Sequence, residues 1–209
     1  SSDLNELRRA SSELYDILVG PIEGELLSGK TLCIVPDKIL NYLPFATLIS
    51  SKSNRYLIAD HSIIFSPSSS VFIVNTQVAQ QKYVAGGEKL LVIGNPSFDR
   101  SLFPSLSDLP SAAVEAQSVS RFYDRPAPVM LIGPDADKER VIKAIGDVDV
   151  LHFAAHYVVD ERLPLRSQFP LARAESLFAR DIHNLKLSKP RLAVLSACTT
   201  GVERYYNGE

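Results

Sequence analysis

Hydrophobic positions along the chain recur with two periods, which predict helices that alternate with short strands. Over residues 3–19, leucines and an isoleucine recur at helical spacing with charged residues between them, and Pro21 should end this helix. Short apolar runs bounded by turn residues predict strands at 31–35, 56–58, 62–65, 89–94, 129–132, 151–155 and 192–197. Further helices are predicted to begin near residue 71 and to span 112–123, 138–145 (capped by Asp137) and 175–183. A turn with a short helix is expected at 39–48, and loops or irregular segments are expected at 97–110 and 157–175.

Two of the predicted strands stop at a reactive side chain. Residues 151–155 lead to His156, and residues 192–197 lead to Cys198. Apolar runs of this length are typical of strands that are buried on both faces of a parallel sheet. Since strands alternate with helices, we expect a mostly parallel α/β sheet, in which reacting groups gather at the carboxyl ends of the strands. His156 and Cys198 are therefore predicted to lie side by side as a thiol–imidazole dyad.

Length and charge narrow the classes of function. The chain has 209 residues, which fit one large domain or two small ones. The Ala-Gly-Gly segment at residues 85–87 could separate two halves of the chain. Lys and Arg total 22 against 24 Asp and Glu, and these charges are scattered. Nothing in this balance predicts a nucleic-acid partner.

Cysteine content and hydropathy indicate the compartment. Two cysteines, Cys33 and Cys198, are too few for a disulfide framework, and the sequence shows no signal peptide. No apolar run approaches the ~20 residues that span a bilayer. We therefore expect a cytoplasmic protein without a membrane partner. The first residues enter a helix directly and contain no methionine, so we expect a chain cut from a longer protein.

Further motifs accompany the histidine and the cysteine in a fixed order along the chain. They are Glu13-Leu14-Tyr15, Ile34-Val35-Pro36-Asp37, Leu43-Pro44-Phe45-Ala46, Tyr56-Leu57 through Ser66-Pro67-Ser68, Ile93-Gly94-Asn95-Pro96, Leu109-Pro110, His152-Phe153-Ala154-Ala155-His156, Asp181-Ile182 and Leu195-Ser196-Ala197-Cys198. This ordered set resembles the CHAT domain family, which are caspase-like cysteine peptidases that are often attached to tetratricopeptide repeats. The similarity runs from about residue 10 to residue 201.

The resemblance implies both a fold and an activity. The fold would be a caspase-like α/β/α sandwich over residues 1–209, with its C-terminal part missing from this chain or cleaved off as a second chain after Glu209. The activity would be endopeptidase cleavage of a specific protein substrate, with Cys198 as nucleophile and His156 as general acid. The backbone N–H groups of Tyr157 and Cys198 would bind the oxyanion. A regulatory or tetratricopeptide-repeat region, or the second C-terminal chain, would be the other partner.

One departure from the family pattern keeps a second hypothesis open. The family usually has glycine directly after the catalytic histidine, whereas this chain has Tyr157. If that backbone position needs a conformation that only glycine adopts cheaply, tyrosine would strain it by roughly 1–3 kcal/mol. The alternative is then a catalytically weak CHAT-like module that serves protein–protein interaction. An acyl transferase that uses the same cysteine is a third option, although nothing in the sequence requires an acyl-carrier partner.

The remaining candidate residues have simpler interpretations. His152 and His156 share the i, i+4 spacing of some zinc sites, but no glutamate or third ligand accompanies them, so we expect neither a metal nor a cofactor. His152 is expected to pack beside the site, and Cys33 inside the core. The loop residues Asp160, Glu161 and Arg166 either face the substrate or are simply solvated.

Overall fold

The structure is a computed structural model that describes residues 2–82 and 87–197. Within these ranges the chain forms two compact units, one of residues 2–77 and one of residues 78–82 and 87–197. No helix in these ranges has the length and apolar character needed to cross a bilayer.

The first unit begins with the long helix that the sequence predicts. Helix α1 spans Ser2–Leu18, and Pro21 lies in the 3₁₀ turn that follows it, at Gly20–Glu25. The later elements are β1 (Thr31–Ile34), 3₁₀ turns at Lys38–Tyr42 and Phe45–Thr47, α2 (Leu57–Asp60), β2 (Ser62–Phe65) and α3 (Ser69–Gln81), within which the boundary between the units falls. Strands β1 and β2 pair in parallel.

A small core holds the first unit together and explains one wrong prediction. This core consists of Tyr15, Val19, Phe45, Leu48 and Leu57. The sequence predicts a strand at 56–58, but Leu57 begins helix α2 instead. A single helical turn buries Leu57 beside Leu48, whose carbonyl accepts a hydrogen bond from the Leu57 N–H at 2.8 Å. Of the predicted strand only Tyr56 keeps a bridge, to Ile49.

The second unit is built on a four-stranded parallel sheet. In chain order its principal elements are β3 (Leu90–Gly94), α4 (Pro110–Ser120), β4 (Val129–Ile132), α5 (Lys138–Ile145), β5 (Val150–Ala154), β6 (Gln168–Pro170), β7 (Ser176–Phe178), α6 (Ala179–Asn184) and β8 (Leu192–Ser196). The sheet has the order β4-β3-β5-β8, and every pairing in it is parallel. The predicted α/β architecture with a mostly parallel central sheet is therefore confirmed.

Alternate residues of the central strands face the two helical layers. Leu91 and Ile93 of β3 belong to the cluster that contains residues of α5, while Leu90 and Val92 belong to the cluster that contains Ala116 of α4. Burial on both faces explains the uninterrupted apolar sequence of β3. Helix α4 packs tightly, because a Cβ atom added at Gly94 would lie 2.6 Å from that of Ala116.

The segment between β5 and β8 differs from its prediction. Residues 157–175 were expected to be irregular and 175–183 to form one helix, but β6 and β7 form an antiparallel hairpin before α6 begins. The Asp181 carboxylate accepts a hydrogen bond from the Phe178 N–H at 3.0 Å, which fixes the start of α6. Burial raises the pKa of Asp181, but hydrogen bonds from Lys138 and Phe178 outweigh it and leave the pKa below its ordinary value.

The prediction that both site strands are buried on both faces is wrong for β8. Strand β5 is buried at all five positions as predicted, whereas all five residues of β8 are exposed. The difference follows from position, since β8 is the edge strand of the described sheet and pairs there only with β5. An apolar run therefore predicted the strand correctly but not its burial.

Helix α5 begins at a buried cap, which gives a stability prediction. The Asp137 side chain is 1% exposed and its Oδ1 accepts a hydrogen bond from the Arg140 N–H at 2.9 Å, as the sequence predicts. Replacing Asp137 with alanine should lower the free energy of unfolding by about 1–2 kcal/mol, the usual cost of losing a helix cap. Chemical denaturation measures this, with Asp135→Ala as control, because Asp135 forms an exposed ion pair with the same Arg140 side chain. Equal effects of the two substitutions would contradict the assignment of the cap.

Candidate functional site

His156 lies two residues beyond the last paired residue of β5, at the carboxyl end of the sheet. Its Nε2 lies 2.6 Å from the carbonyl oxygen of Ser107. Because a carbonyl only accepts, Nε2 carries the proton and donates it. Nδ1 of a neutral imidazole is then the acceptor. The imidazole ring also makes a T-shaped contact with the Phe98 ring, with the ring centroids 5.6 Å apart and the planes at 83°.

The loop from Asn95 to Leu109 provides both of these contacts. Asn95 has a φ of 43°, its N–H donates to the Ala154 carbonyl at 3.0 Å, and its Oδ1 accepts from the Leu109 N–H at 2.9 Å. Asn95 therefore joins both ends of the loop to the end of β5, just before His156. Hydrogen bonds from Ser101, mainly from its hydroxyl, lower the pKa of Asp99 and order the middle of the loop.

The loop contacts were not among the candidates drawn from the sequence. Phe98 and Ser107 lie in the segment 97–110, which the sequence predicts as a surface loop, and Ser107 acts through its backbone carbonyl, a group that every residue type carries. The available signal was Asn95-Pro96, because asparagine tolerates the left-handed conformation that this turn requires.

Tyr157 follows the histidine directly and does not have a positive φ. The described non-glycine residues with positive φ are Lys38, Asn54, Asn95, Arg173 and Ala174. Tyr157 is therefore outside the left-handed region that favours glycine. Its ring packs on Phe169, with centroids 4.7 Å apart, and Phe169 packs in turn on Phe153 at 5.0 Å. The hypothesis that tyrosine is strained here in a left-handed, glycine-type conformation is therefore wrong. The Tyr157 ring packs against the hydrophobic core cluster of the second unit.

The register of β5 and β8 brings the two predicted site segments side by side. The strands are parallel neighbours, with Phe153 opposite Leu195 and Ala154 opposite Ser196. His156 follows Ala154 by two positions, and Cys198 follows Ser196 by two positions. Cys198, both as candidate nucleophile and as candidate oxyanion donor, lies outside the described residues, as does Glu209.

His152 is buried on the opposite side of β5 from the hydrophobic residue Phe153. Its Nε2 lies 2.8 Å from the Glu115 carboxylate of α4, and its side chain is 9% exposed. The predicted packing role of His152 agrees with this position. The pair connects α4 to the strand that carries His156.

The loop that follows Tyr157 is closed at its base. Val158 and Gln168 exchange two backbone hydrogen bonds, and the Ser167 hydroxyl accepts one from the Asp160 N–H at 3.0 Å. Asp160, Glu161 and Arg166 line an open cavity of about 520 Å³ on this loop. Arg166 and Asp160 face each other at 3.9 Å, so part of their charge is balanced within the loop.

Cys33, the other thiol of the chain, differs from its expected position. It lies on β1 in the first unit and is only partly buried, rather than enclosed in the core. Strand β1 carries intermediate or exposed positions throughout, because it belongs to a two-stranded sheet with one pairing partner among the described strands.

Comparison with known proteins places this arrangement in a family. The sequence matches the CHAT domain over residues 8–209, and CHAT domains belong to the caspase-like cysteine peptidase superfamily. The chain is similar to tetratricopeptide repeat protein 28 of Homo sapiens, with 34% identity over 159 residues, and to the same protein of Mus musculus, with 33% identity over 159 residues. Each match covers 68% of this chain but 6% of the relative. The relatives are consistent with an association between this domain and tetratricopeptide repeats. The chain therefore belongs to the CHAT domain family.

Proposed function

We propose that the chain is a cysteine endopeptidase whose nucleophile is Cys198 and whose proton carrier is His156. The observation that carries this proposal is the register of β5 and β8, in which Ala154 lies opposite Ser196. His156 and Cys198 each follow these paired positions by two residues in the sequence, so we propose that Cys198 lies beside His156. Carboxyl ends of parallel strands are where α/β proteins assemble reacting groups.

The orientation of His156 suits this role. With Nε2–H donating to Ser107, Nδ1 accepts the proton of the Cys198 thiol, and the thiolate becomes the attacking group. The thiolate sulfur bonds to the carbonyl carbon of the substrate. The C–N bond then breaks, and the imidazolium gives its proton to the departing amine. Water hydrolyses the resulting thioester and returns the free thiol.

Tyr157 is proposed to supply one donor for the oxyanion through its backbone N–H. Such donors contribute about 3–4 kcal/mol of transition-state stabilisation in a serine protease. The Tyr157 ring packs on Phe169 in the hydrophobic cluster, so we assign the oxyanion role to the backbone N–H and not to the side chain. The Cys198 N–H is the second proposed donor.

The wider assignments follow from the same proposal. The substrate would be a protein, and a tetratricopeptide-repeat region of the same polypeptide would regulate its cleavage. A thiolate nucleophile must stay reduced, which favours the cytoplasm. The whole chain, residues 1–209, is proposed to act as one catalytic domain.

Cleavage of a proteome-derived peptide library, with the products identified by mass spectrometry, tests the proposal. The library would be incubated with the wild-type chain and with Cys198→Ala in the presence of the repeat region. We expect a shared sequence preference at the cleaved bond with wild type and no cleavage above background with Cys198→Ala. Equal cleavage by both proteins, or none by a folded wild type, would contradict a Cys198-dependent peptidase.

Replacing Tyr157 with glycine distinguishes the proposed peptidase from the alternative, a catalytically weak interaction module. Because glycine keeps the backbone N–H, we expect kcat/KM to stay within about threefold of wild type. The melting temperature should fall, because the contact with Phe169 is lost. Kinetics and thermal denaturation on the same preparation measure both effects. A rise in kcat of about 100-fold or more would show instead that tyrosine suppresses the activity, as the interaction module requires.

A further inference from the structure

Helix α1 exposes an apolar stripe over its first half. Leu4 and Leu7 are 65% and 66% exposed, although both are large hydrophobic residues on a regular helix. The C-terminal part of the same helix is anchored differently, because Tyr15 belongs to the buried core of the first unit. The stripe is therefore held in place by the second half of the helix.

A groove runs beside this stripe. It has a volume of about 390 Å³, and its lining is mostly apolar. One wall is the stripe of α1, and the other includes Leu43, Pro44 and Leu48. The Ser11 hydroxyl donates to the Thr47 carbonyl at 2.7 Å and joins the walls. We refer to this feature, formed by α1 and residues 43–49, as the α1 groove.

The residues on the helical wall follow the spacing of a helix–helix seam. Leu4, Leu7, Ser11 and Leu14 are separated by three, four and three positions, which are the a and d positions of a heptad. Arg8 and Ala10, which also line the groove, take the flanking e and g positions. A seam with this period fits the side chains of a second α-helix better than an extended peptide or a small ligand, because only a helix repeats its contacts every three to four residues.

The size of the groove limits the kind of helix that can bind. Three leucines on one wall offer too little apolar area to hold a free partner tightly, since stable complexes bury about 1,200–2,000 Å² in total, so an untethered helix should bind only weakly. A helix tethered to the same polypeptide needs far less contact, because the linker provides a high effective concentration. The relatives carry tetratricopeptide repeats, and this chain matches 6% of their length. Helical repeats bury their apolar faces on neighbouring repeats, and a terminal repeat needs a cap.

We propose that the α1 groove caps a helical-repeat region of the same polypeptide by binding the apolar face of its terminal helix. The positive charge of Arg8, beside the seam, indicates which charge the bound helix carries. Arg8 donates to the Asn54 side chain at 3.1 Å, which uses one of the five N–H donors of its guanidinium. The bound helix carries leucine-type residues at its seam and a carboxylate that faces Arg8. This interaction does not depend on peptidase activity.

Peptide binding to the 209-residue chain tests the proposal. Two fluorescent helical peptides of about 20 residues carry leucine at every a and d position and differ only at the flanking positions, with glutamate in one and lysine in the other. Fluorescence anisotropy should show that the glutamate peptide binds about tenfold more tightly, and Arg8→Glu should reverse this preference. Leu7→Asp should weaken binding of the glutamate peptide at least about tenfold, because it places a charge in the apolar seam.

The matched control is Ile17→Asp, on the same helix but outside the groove lining and 69% exposed. It should change the affinity less than about twofold, and circular dichroism verifies that each variant is folded. Equal effects of Leu7→Asp and Ile17→Asp would overturn the proposal, as would no binding of either peptide at millimolar concentration, which is the effective concentration that a short linker provides. Light scattering should show a monomer; a dimer that Leu7→Asp abolishes would overturn it too, because a second copy would then occupy the groove. Failure of the peptidase assay would leave these measurements unchanged.

Discussion

Replacing His156 with alanine is expected to lower the kcat/KM of Cys198-dependent cleavage on the order of 10³-fold. The substitution removes the group that takes the thiol proton and protonates the leaving amine. The thiol of Cys198 would then stay largely protonated near neutral pH, because an unassisted cysteine has a pKa near 8.5. The loss should lie mainly in kcat, since His156 acts on the reacting atoms. Steady-state kinetics on a peptide selected from the library provide the measurement.

His183→Ala is the control for this substitution. His183 is an exposed residue of α6 and has no role in the proposed chemistry. Its replacement should leave kcat/KM within about twofold of wild type, and unchanged circular dichroism would show that the His156 variant is folded. A His156→Ala protein that retains more than about a tenth of the wild-type kcat would contradict the assignment of the dyad.

Replacing Phe169 with alanine should have the largest effect on stability among the substitutions considered. Phe169 is 2% exposed and contacts the rings of Phe153 and Tyr157. Truncating a buried phenylalanine removes its transfer free energy and leaves a cavity, which together cost about 3–5 kcal/mol. Because Tyr157→Gly removes the same ring contact and is expected to leave kcat/KM within about threefold, kcat of the folded Phe169→Ala protein should also change little.

Phe122→Ala tests whether the cost comes from burial. Phe122 is 86% exposed, so its removal should change the free energy of unfolding by less than about 0.5 kcal/mol. Urea denaturation of both variants, with activity measured on the folded protein, gives the two effects separately. A loss below about 1 kcal/mol for Phe169→Ala would show that the aromatic cluster is not a determinant of stability.

The central strands could be predicted from sequence because burial on both faces leaves a continuous apolar run. The prediction is accurate for β4 and close for β3 and β5, which lie side by side in the sheet. The same reasoning overstated the burial of β8, because an apolar run does not show how many neighbours a strand has. The N-terminus of α5 was also predicted, since Asp137 caps it through a local hydrogen bond.

The β6–β7 hairpin was missed for a specific physical reason. Its tight turn places Arg173 and Ala174 at φ values of 59° and 57°, where asparagine or glycine is usual. The turn is held by contacts distant from it in sequence, including the hydrogen bond from the Ala172 N–H to the Ala136 carbonyl at 2.9 Å. Sequence patterns report local preferences, and here tertiary contacts override them.

The candidate site was predictable only in part. Motifs identified His156, but the Ser107 carbonyl that orients it belongs to a loop whose sequence predicts only a surface segment. The contact depends on Asn95, whose N–H donates to the Ala154 carbonyl of β5 and whose Oδ1 accepts from the Leu109 N–H at the other end of the loop. A backbone group brought in by loop closure has no signature in the sequence.

The central claim is that His156 activates Cys198, and the alkylation rate of that thiol tests it most directly. The chain would be treated with a peptidyl acyloxymethyl ketone, and modification of Cys198 and of Cys33 would be followed by peptide-level mass spectrometry in wild type and His156→Ala. We predict that Cys198 reacts at least about 100-fold faster than Cys33 in the wild type and that His156→Ala removes this advantage. Modification of Cys198 no faster than Cys33 in folded wild-type protein, with the repeat region present, would contradict the claim.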